Sequence, residues 1–201
     1  MTMNLNQLID RREALRKTAL LMGAAVSASA LTGILQGCKA VPELTYKPDF
    51  FTEDQARLIS EVAEIIIPKT DTPGAKDAGV PGFIDQMLKE CYKKEDQDEF
   101  LAGLAEFDAA AKAAYGDTFN ECDAKQQTEF VLAQHADAIA KTKADPSMKR
   151  PFILKAKELT LLGFFTSEPG ATQVLQYVAV PGSYKGCIPL SEAGNGKTWA
   201  T

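Results

Sequence analysis

Beyond residue 52, apolar residues recur at helical spacing through most of the chain. Ala56, Ile59, Val62, Ala63, Ile66 and Ile67 fall three or four apart, the period at which side chains share one face of an α-helix. Thr52 and Gln55 open this run as a capping box, and Pro68 ends it, because proline lacks an amide donor and disfavours helix before it. A shorter stripe, Phe83, Ile84, Met87, Leu88 and Cys91, follows a connection made irregular by Pro73-Gly74, Gly79 and Pro81-Gly82. A third helix is expected with Asp96 as its cap, running to Tyr115 and turning Phe100, Leu101, Leu104 and Phe107 inward, with Ala109 to Ala111 adding propensity. The fourth begins at Asp123, with Gln126 three residues on, and carries Phe130, Val131, Ala138 and Ile139 before a loop at Asp145-Pro146. The fifth spans Arg150 to Phe165 with Phe152, Ile153, Ala156, Leu159 and Phe164 as its stripe. Ser167-Glu168-Pro169-Gly170 stops it, Ala171 to Val178 has room for two more turns, and Val180 to Gly186 has the Pro-Gly chemistry of an extended surface segment. No stretch alternates with period two. The pattern therefore predicts an all-α fold, a single bundle-like domain of about five main helices with an extended Pro/Gly-rich C-terminal segment.

The first 38 residues obey a different pattern. A polar start leads to Arg11-Arg12, then Leu15-Arg16-Lys17, then a weakly apolar run from Thr18 to Leu35 and Cys38. This resembles a twin-arginine export leader. Gly23, Ser27, Ser29, Thr32 and Gly33 dilute the run and make it a poor membrane anchor, although a retained transmembrane helix is the competing reading. Leu35-Gln36-Gly37-Cys38 resembles a bacterial lipobox, in which Cys38 is acylated and becomes the first residue of the mature chain. The expected organisation is an export signal over 1–37, a lipidated Cys38 and linker over 38–50, and a helical domain over 51–201. The resulting location is periplasmic, tethered to a membrane by acyl chains.

Composition changes this reading little. The 201 residues hold 27 acids and 22 bases, a net charge of -5, and the part after the leader has no basic block that could neutralise phosphates, which argues against nucleic acid as a partner. A hydrophobic fraction of 45% is that of a folded chain rather than a disordered one.

Chemistry-bearing residues are sparse. Gly194-Asn195-Gly196-Lys197-Thr198 ends like a phosphate loop, but Ser191 stands where the first glycine belongs and no strand precedes it. Gly74, Gly79 and Gly82 lack the spacing of a dinucleotide fingerprint. His135 is the only histidine, placed by periodicity on the apolar side of the fourth helix with no nucleophile or acid nominated beside it. Neither a Cys-x-x-Cys-His haem motif nor clustered zinc ligands occur, and Glu158 and Glu168 stand singly. No catalytic, cofactor-binding or metal-binding residue is nominated in this chain.

Phe164-Phe165-Thr166-Ser167-Glu168-Pro169-Gly170-Ala171 and Val180-Pro181-Gly182-Ser183-Tyr184-Lys185-Gly186, with Ile65-Ile66-Ile67-Pro68 and Thr72-Pro73-Gly74-Ala75 upstream, resemble the family called gluconate 2-dehydrogenase subunit 3. The resemblance covers the chain from Thr52 onward. It implies a non-catalytic small subunit that accompanies a flavoprotein of the glucose-methanol-choline type, which oxidises sugars or related polyols and often passes electrons to a cytochrome c subunit. FAD would belong to that larger subunit. This chain would supply the export signal and an interaction surface, which explains how a folded-protein export leader comes to sit on a chain with no cofactor site of its own. Phe164, Phe165, Tyr177, Tyr184 and Ile188 are the expected partner contacts.

With Cys38 acylated, Cys91, Cys122 and Cys187 remain in an oxidising compartment, enough for one bridge. A third helix of roughly 28 Å separates the surroundings of Cys91 and Cys122, too far for a bridge. Cys91 with Cys187 is favoured, and the resemblance leans the same way. Cys122 with Cys187, and no bridge at all, stay open. A free-standing helical envelope lipoprotein that binds a ligand or acts as a scaffold is the alternative from a different class.

Overall fold

The architecture starts from its helix caps. In the computed structural model, which describes residues 44–180, 182, 183, 185–189, 191, 192 and 196–200, the Thr52 hydroxyl accepts from the Gln55 amide at 3.3 Å while Gln55 Oε1 accepts from the Thr52 amide at 3.0 Å. Asp123 and Gln126 form the same reciprocal pair at 2.8 and 3.0 Å. These caps open α1 (Glu53–Ile66) and α4 (Ala124–Ala144), with α2 (Val80–Cys91), α3 (Lys94–Tyr115) and α5 (Phe152–Thr166) completing the set. A 3-10 turn at Phe119–Glu121 and a π-helical turn at Gly170–Val174 complete the regular structure. No strand occurs among the described residues, and the expected all-α fold of five main helices is the one observed. Arg11, Arg12, Cys38 and Tyr184 lie outside the described residues.

Two helix starts differ from expectation. α2 begins at Val80 rather than after Pro81-Gly82, because proline fits the first turn, where its missing amide would have had no partner. Gly79 precedes it with φ +72°, a left-handed conformation that glycine adopts without strain. α3 begins at Lys94, so Asp96 lies within its first turn rather than capping it. There its charge favours the positive end of the helix. The junction is closed by Gln97, whose amide nitrogen donates to the carbonyls of Leu88 at 2.8 Å and Tyr92 at 3.1 Å. One side chain thus satisfies the end of α2 from the start of α3.

α5 is the central element and packs against each of the other four helices. Its sequence suits that position, because it is apolar around most of its circumference and such a helix must be buried on several sides. Phe152, Ile153, Ala156, Leu159, Thr160, Gly163 and Phe164 are its buried residues. At Gly163 the approach to α2 is closest: a Cβ there would lie 2.6 Å from Cδ1 of Phe83. Around Phe107 the core is aromatic, with ring centroids of Phe130 at 4.9 Å, Phe119 at 5.2 Å and Phe152 at 5.4 Å. Ile139, expected in the α4 stripe, is 36% exposed.

The connection from α1 to α2 folds around Glu64. Its carboxylate accepts from the amides of Lys69 at 3.0 Å and Lys76 at 2.9 Å, and a Cβ at Gly74 would lie 2.4 Å from Oε1 of Glu64. The Pro-Gly phrase at 73–74 is thereby explained, since only glycine lets the loop close on that carboxylate.

Residues 44–51, mostly read as linker, belong to the domain. Leu44, Tyr46 and Phe50 pack against the core and Phe51 is buried. The buried Asp85 of α2 accepts from the amides of Asp49 at 2.8 Å, Phe50 at 3.2 Å and Phe51 at 2.9 Å. A single carboxylate aimed at three successive amides holds this strap in place. The end of the linker therefore runs along α2 instead of serving as a free spacer.

Candidate docking surface

α5 ends at Ser167, whose hydroxyl donates to the Phe164 carbonyl at 2.6 Å and accepts from the Gly170 amide at 3.2 Å. The chain then makes one π-helical turn, closed by the Leu175 amide donating to the Gly170 carbonyl at 2.9 Å. The two helical turns expected up to Val178 are replaced by this single wide turn, and Leu175 is already extended. Gly170 allows the turn to sit against α5, since a Cβ there would lie 1.9 Å from the Phe164 carbonyl oxygen.

From this point the chain exposes apolar side chains. Among the described residues, nine large hydrophobic side chains are exposed, and seven of them fall between 162 and 199: Leu162, Phe165, Tyr177, Val178, Val180, Ile188 and Trp199. Exposed apolar side chains thus concentrate in the C-terminal quarter of the chain rather than scattering along it. Val180 is 83% and Tyr177 59% exposed. Phe165, Tyr177 and Ile188 of the expected contacts are on this surface. Phe164 is not: it is 2% exposed, in the core stripe of α5, and meets Phe165 edge to face at 5.3 Å. Val178 and Val180 fall within the stretch from Tyr177 to Ile188 expected to face a partner, whereas Leu162 and Trp199 escaped the sequence reading. Leu162 was detectable as an i, i+3 partner of Phe165 outside the Phe164 stripe, whereas nothing in the tail's pattern distinguished Trp199.

The expected Cys91–Cys187 bridge is not formed. Cys91, the last residue of α2, and Cys187 are both exposed free thiols. The tail's backbone pairing is made at Gln176 and Trp199, and Cys187 is exposed. Cys122 is buried, its thiol 3.9 Å from the Asp117 carbonyl oxygen.

His135 is half-buried and faces α5, with Nε2 3.1 Å from Lys157 Nζ. An ammonium only donates, so the imidazole accepts at Nε2 and carries its proton on Nδ1. Among the described residues no group of three His, Cys, Asp or Glu side chains could hold a metal ion, and no helix is long and apolar enough to cross a membrane. Gly79 and Gly82 lie at the start of α2, following a loop rather than a strand, which is not the setting of a dinucleotide fingerprint.

One open cleft of about 590 Å³ lies beside α3 and α4, lined by Phe107, Ala138 and Phe152 among others. Its cations are already engaged. Lys149 and Lys155 both reach Glu99, at 3.0 and 2.7 Å, Lys141 pairs with Asp137 at 2.7 Å, and Arg150 with Glu158 at 3.2 Å. The two lysines hold the Glu99 carboxyl below its usual range. The cleft thus reads as a charge-balanced groove, and the exposed C-terminal residues are the stronger functional feature.

The fold is a helical domain whose exposed large apolar side chains gather in its C-terminal quarter. The model of the family gluconate 2-dehydrogenase subunit 3 matches residues 53–182, and the chain belongs to that family. It is accordingly one subunit of a multi-subunit dehydrogenase complex, with partner subunits to bind. No curated protein and no solved structure matches the chain.

Proposed function

We propose that this chain is the non-catalytic small subunit of a periplasm-facing dehydrogenase, and that its partner is a flavoprotein of the glucose-methanol-choline type that carries FAD and oxidises a sugar or polyol. A cytochrome c subunit serves as electron acceptor in this arrangement. The chain escorts the flavoprotein through twin-arginine export by way of Arg11 and Arg12, and Cys38 anchors the complex to the membrane through its acyl chains. The observation that carries the reading is the concentration of exposed apolar side chains in the C-terminal quarter of a chain that belongs to a subunit family. Such side chains are left in water only at a cost that a partner removes.

The test is the complex itself. The double variant Tyr177→Ala/Val180→Asp removes the most exposed aromatic among the described residues of the tail and places a charge at its most exposed large apolar position. Anchor residues of this type commonly contribute a few kcal/mol, so the flavoprotein should bind at least about 30-fold more weakly, with the thermal midpoint of the isolated domain unchanged. Co-purification of a protein with a flavin absorption spectrum, lost in the variant, supports the proposal. Undiminished binding of that flavoprotein by the double variant overturns the assignment of this surface.

A further inference from the structure

The exposed tail is not a loose end. Gln176 and Trp199 form a bridge in which the Gln176 amide donates to the Thr198 carbonyl and the Ala200 amide donates to the Gln176 carbonyl, each at 2.8 Å. Alongside, Lys197 Nζ donates to the Gln173 carbonyl at 2.6 Å. That carbonyl belongs to the π-helical turn Gly170–Val174, one of the acceptors a helix end leaves unsatisfied. Residues 197–200 are therefore tied back to the root of the tail at Gln173 and Gln176.

We infer that Lys197, Thr198 and Ala200 act as a clasp on Gln173 and Gln176 that fixes the root of the segment carrying Tyr177, Val178 and Val180 in the arrangement that docks onto the flavoprotein subunit. The inference rests on the docking surface proposed above and adds residues that position it. The geometry supports it in two ways. The bridge brings the backbone of Trp199, from the far end of the chain, alongside Gln176, so that an exposed apolar residue remote in sequence is held at the root of the segment that carries Tyr177, Val178 and Val180. It also fixes Gln176, next in the chain to Tyr177, before the partner arrives, so that less ordering is left to the moment of binding. The clasp lies beyond the residues matched by the family model, which end at 182. The Lys197 contact is exposed, and Gln176 and Ala200 are half-buried and outside the core, so opening the clasp should leave the fold intact.

Trp199 is the only tryptophan, and its fluorescence reports the clasp without any partner. The test uses the full chain as Lys197→Met/Ala200→Pro, which removes the ammonium donor and the Ala200 amide donor, and Lys197→Arg, which keeps a donor. The probe is the flavoprotein subunit purified from the same host. In the double variant the Trp199 emission should move to longer wavelength and be quenched more readily by acrylamide, with an unchanged thermal midpoint. The dissociation constant for the flavoprotein should rise about tenfold, the effect of a docking-competent population reduced to about one tenth. Lys197→Arg should retain both the emission and the affinity. An open clasp by fluorescence with unchanged affinity overturns the inference while leaving the docking surface standing. Unchanged Trp199 emission overturns the clasp itself. Undiminished binding by Tyr177→Ala/Val180→Asp instead overturns the docking reading on which both depend.

Discussion

Asp85 shows how much a single side chain can settle and how little of that is written in its immediate neighbours. In the sequence it lies inside a short apolar stripe, where an acid reads as the solvent face of an amphipathic helix. In the structure it is buried and takes three amides from residues 49–51, partners that local periodicity cannot nominate. The capping residues were legible for the opposite reason: Thr52 with Gln55 and Asp123 with Gln126 find their partners three residues away. Tyr46, on the strap that Asp85 secures, carries a prediction. Its ring rests 3.5 Å from the Cβ position of Gly82, and its hydroxyl is buried with no hydrogen-bond partner among the described residues. Burial, and secondarily the charge of Asp85, raise its pKa well above the usual tyrosine value of 10.0. The folded chain thus keeps a proton that the unfolded chain gives up near pH 10, so this contribution is fully present below pH 10 and is lost as pH rises past it. Tyr46→Phe should leave stability at neutral pH unchanged or raised by up to about 1 kcal/mol, since no hydrogen bond is lost. It should also flatten the decline in stability above pH 10. Denaturant unfolding of both proteins from pH 7 to 11 measures this, and a steeper alkaline decline in the variant would contradict it.

Among the elements, α5 was the most legible and its contacts the least. Its stripe of Phe152, Ile153, Ala156, Leu159 and Phe164 is buried as expected, because helical spacing alone decides which residues share a face. Which helix meets that face at Gly163 was not readable, since a glycine within a helix records a close approach without naming the neighbour. The neighbour is Phe83 of α2. Gly163→Ala should destabilise the domain by about 1–3 kcal/mol through overpacking, and Phe83→Ala should cost stability by opening a cavity. Because the two side chains occupy one space, the double variant should lose less than the two single losses combined, by about 1 kcal/mol. Additive losses would mean that α2 and α5 do not meet at this pair. The same reasoning explains the tail: the pattern there permitted two more helical turns, but Ser167 and Gly170 form a wider turn with the end of α5, a choice made by contacts and not by propensity.

At the scale of the whole molecule, the family was legible from short phrases, whereas the clasp was not, because it is made by backbone groups of Gln176, Thr198 and Ala200 that carry no side-chain signature. In the proposed function the leader joins these two levels. A flavoprotein with no leader of its own cannot use the twin-arginine route, which accepts folded cargo, but a folded complex bearing Arg11 and Arg12 can. Export then selects for assembly, and a subunit that binds only the native partner stabilises it by mass action. Deleting this chain should leave the flavoprotein in the cytoplasm, with reduced solubility and flavin content. Supplying residues 44–201 without the leader should restore solubility and flavin content but not export. This shortened chain starts at Leu44 because Asp85 binds the strap at residues 49–51 and Leu44 and Tyr46 pack against the domain. Fractionation of the two strains, with flavin absorbance and dehydrogenase activity measured in cytoplasm and periplasm, separates the roles. Full periplasmic activity in the deletion strain would remove the escort role and leave a helical envelope lipoprotein as the better account of the leader and the fold.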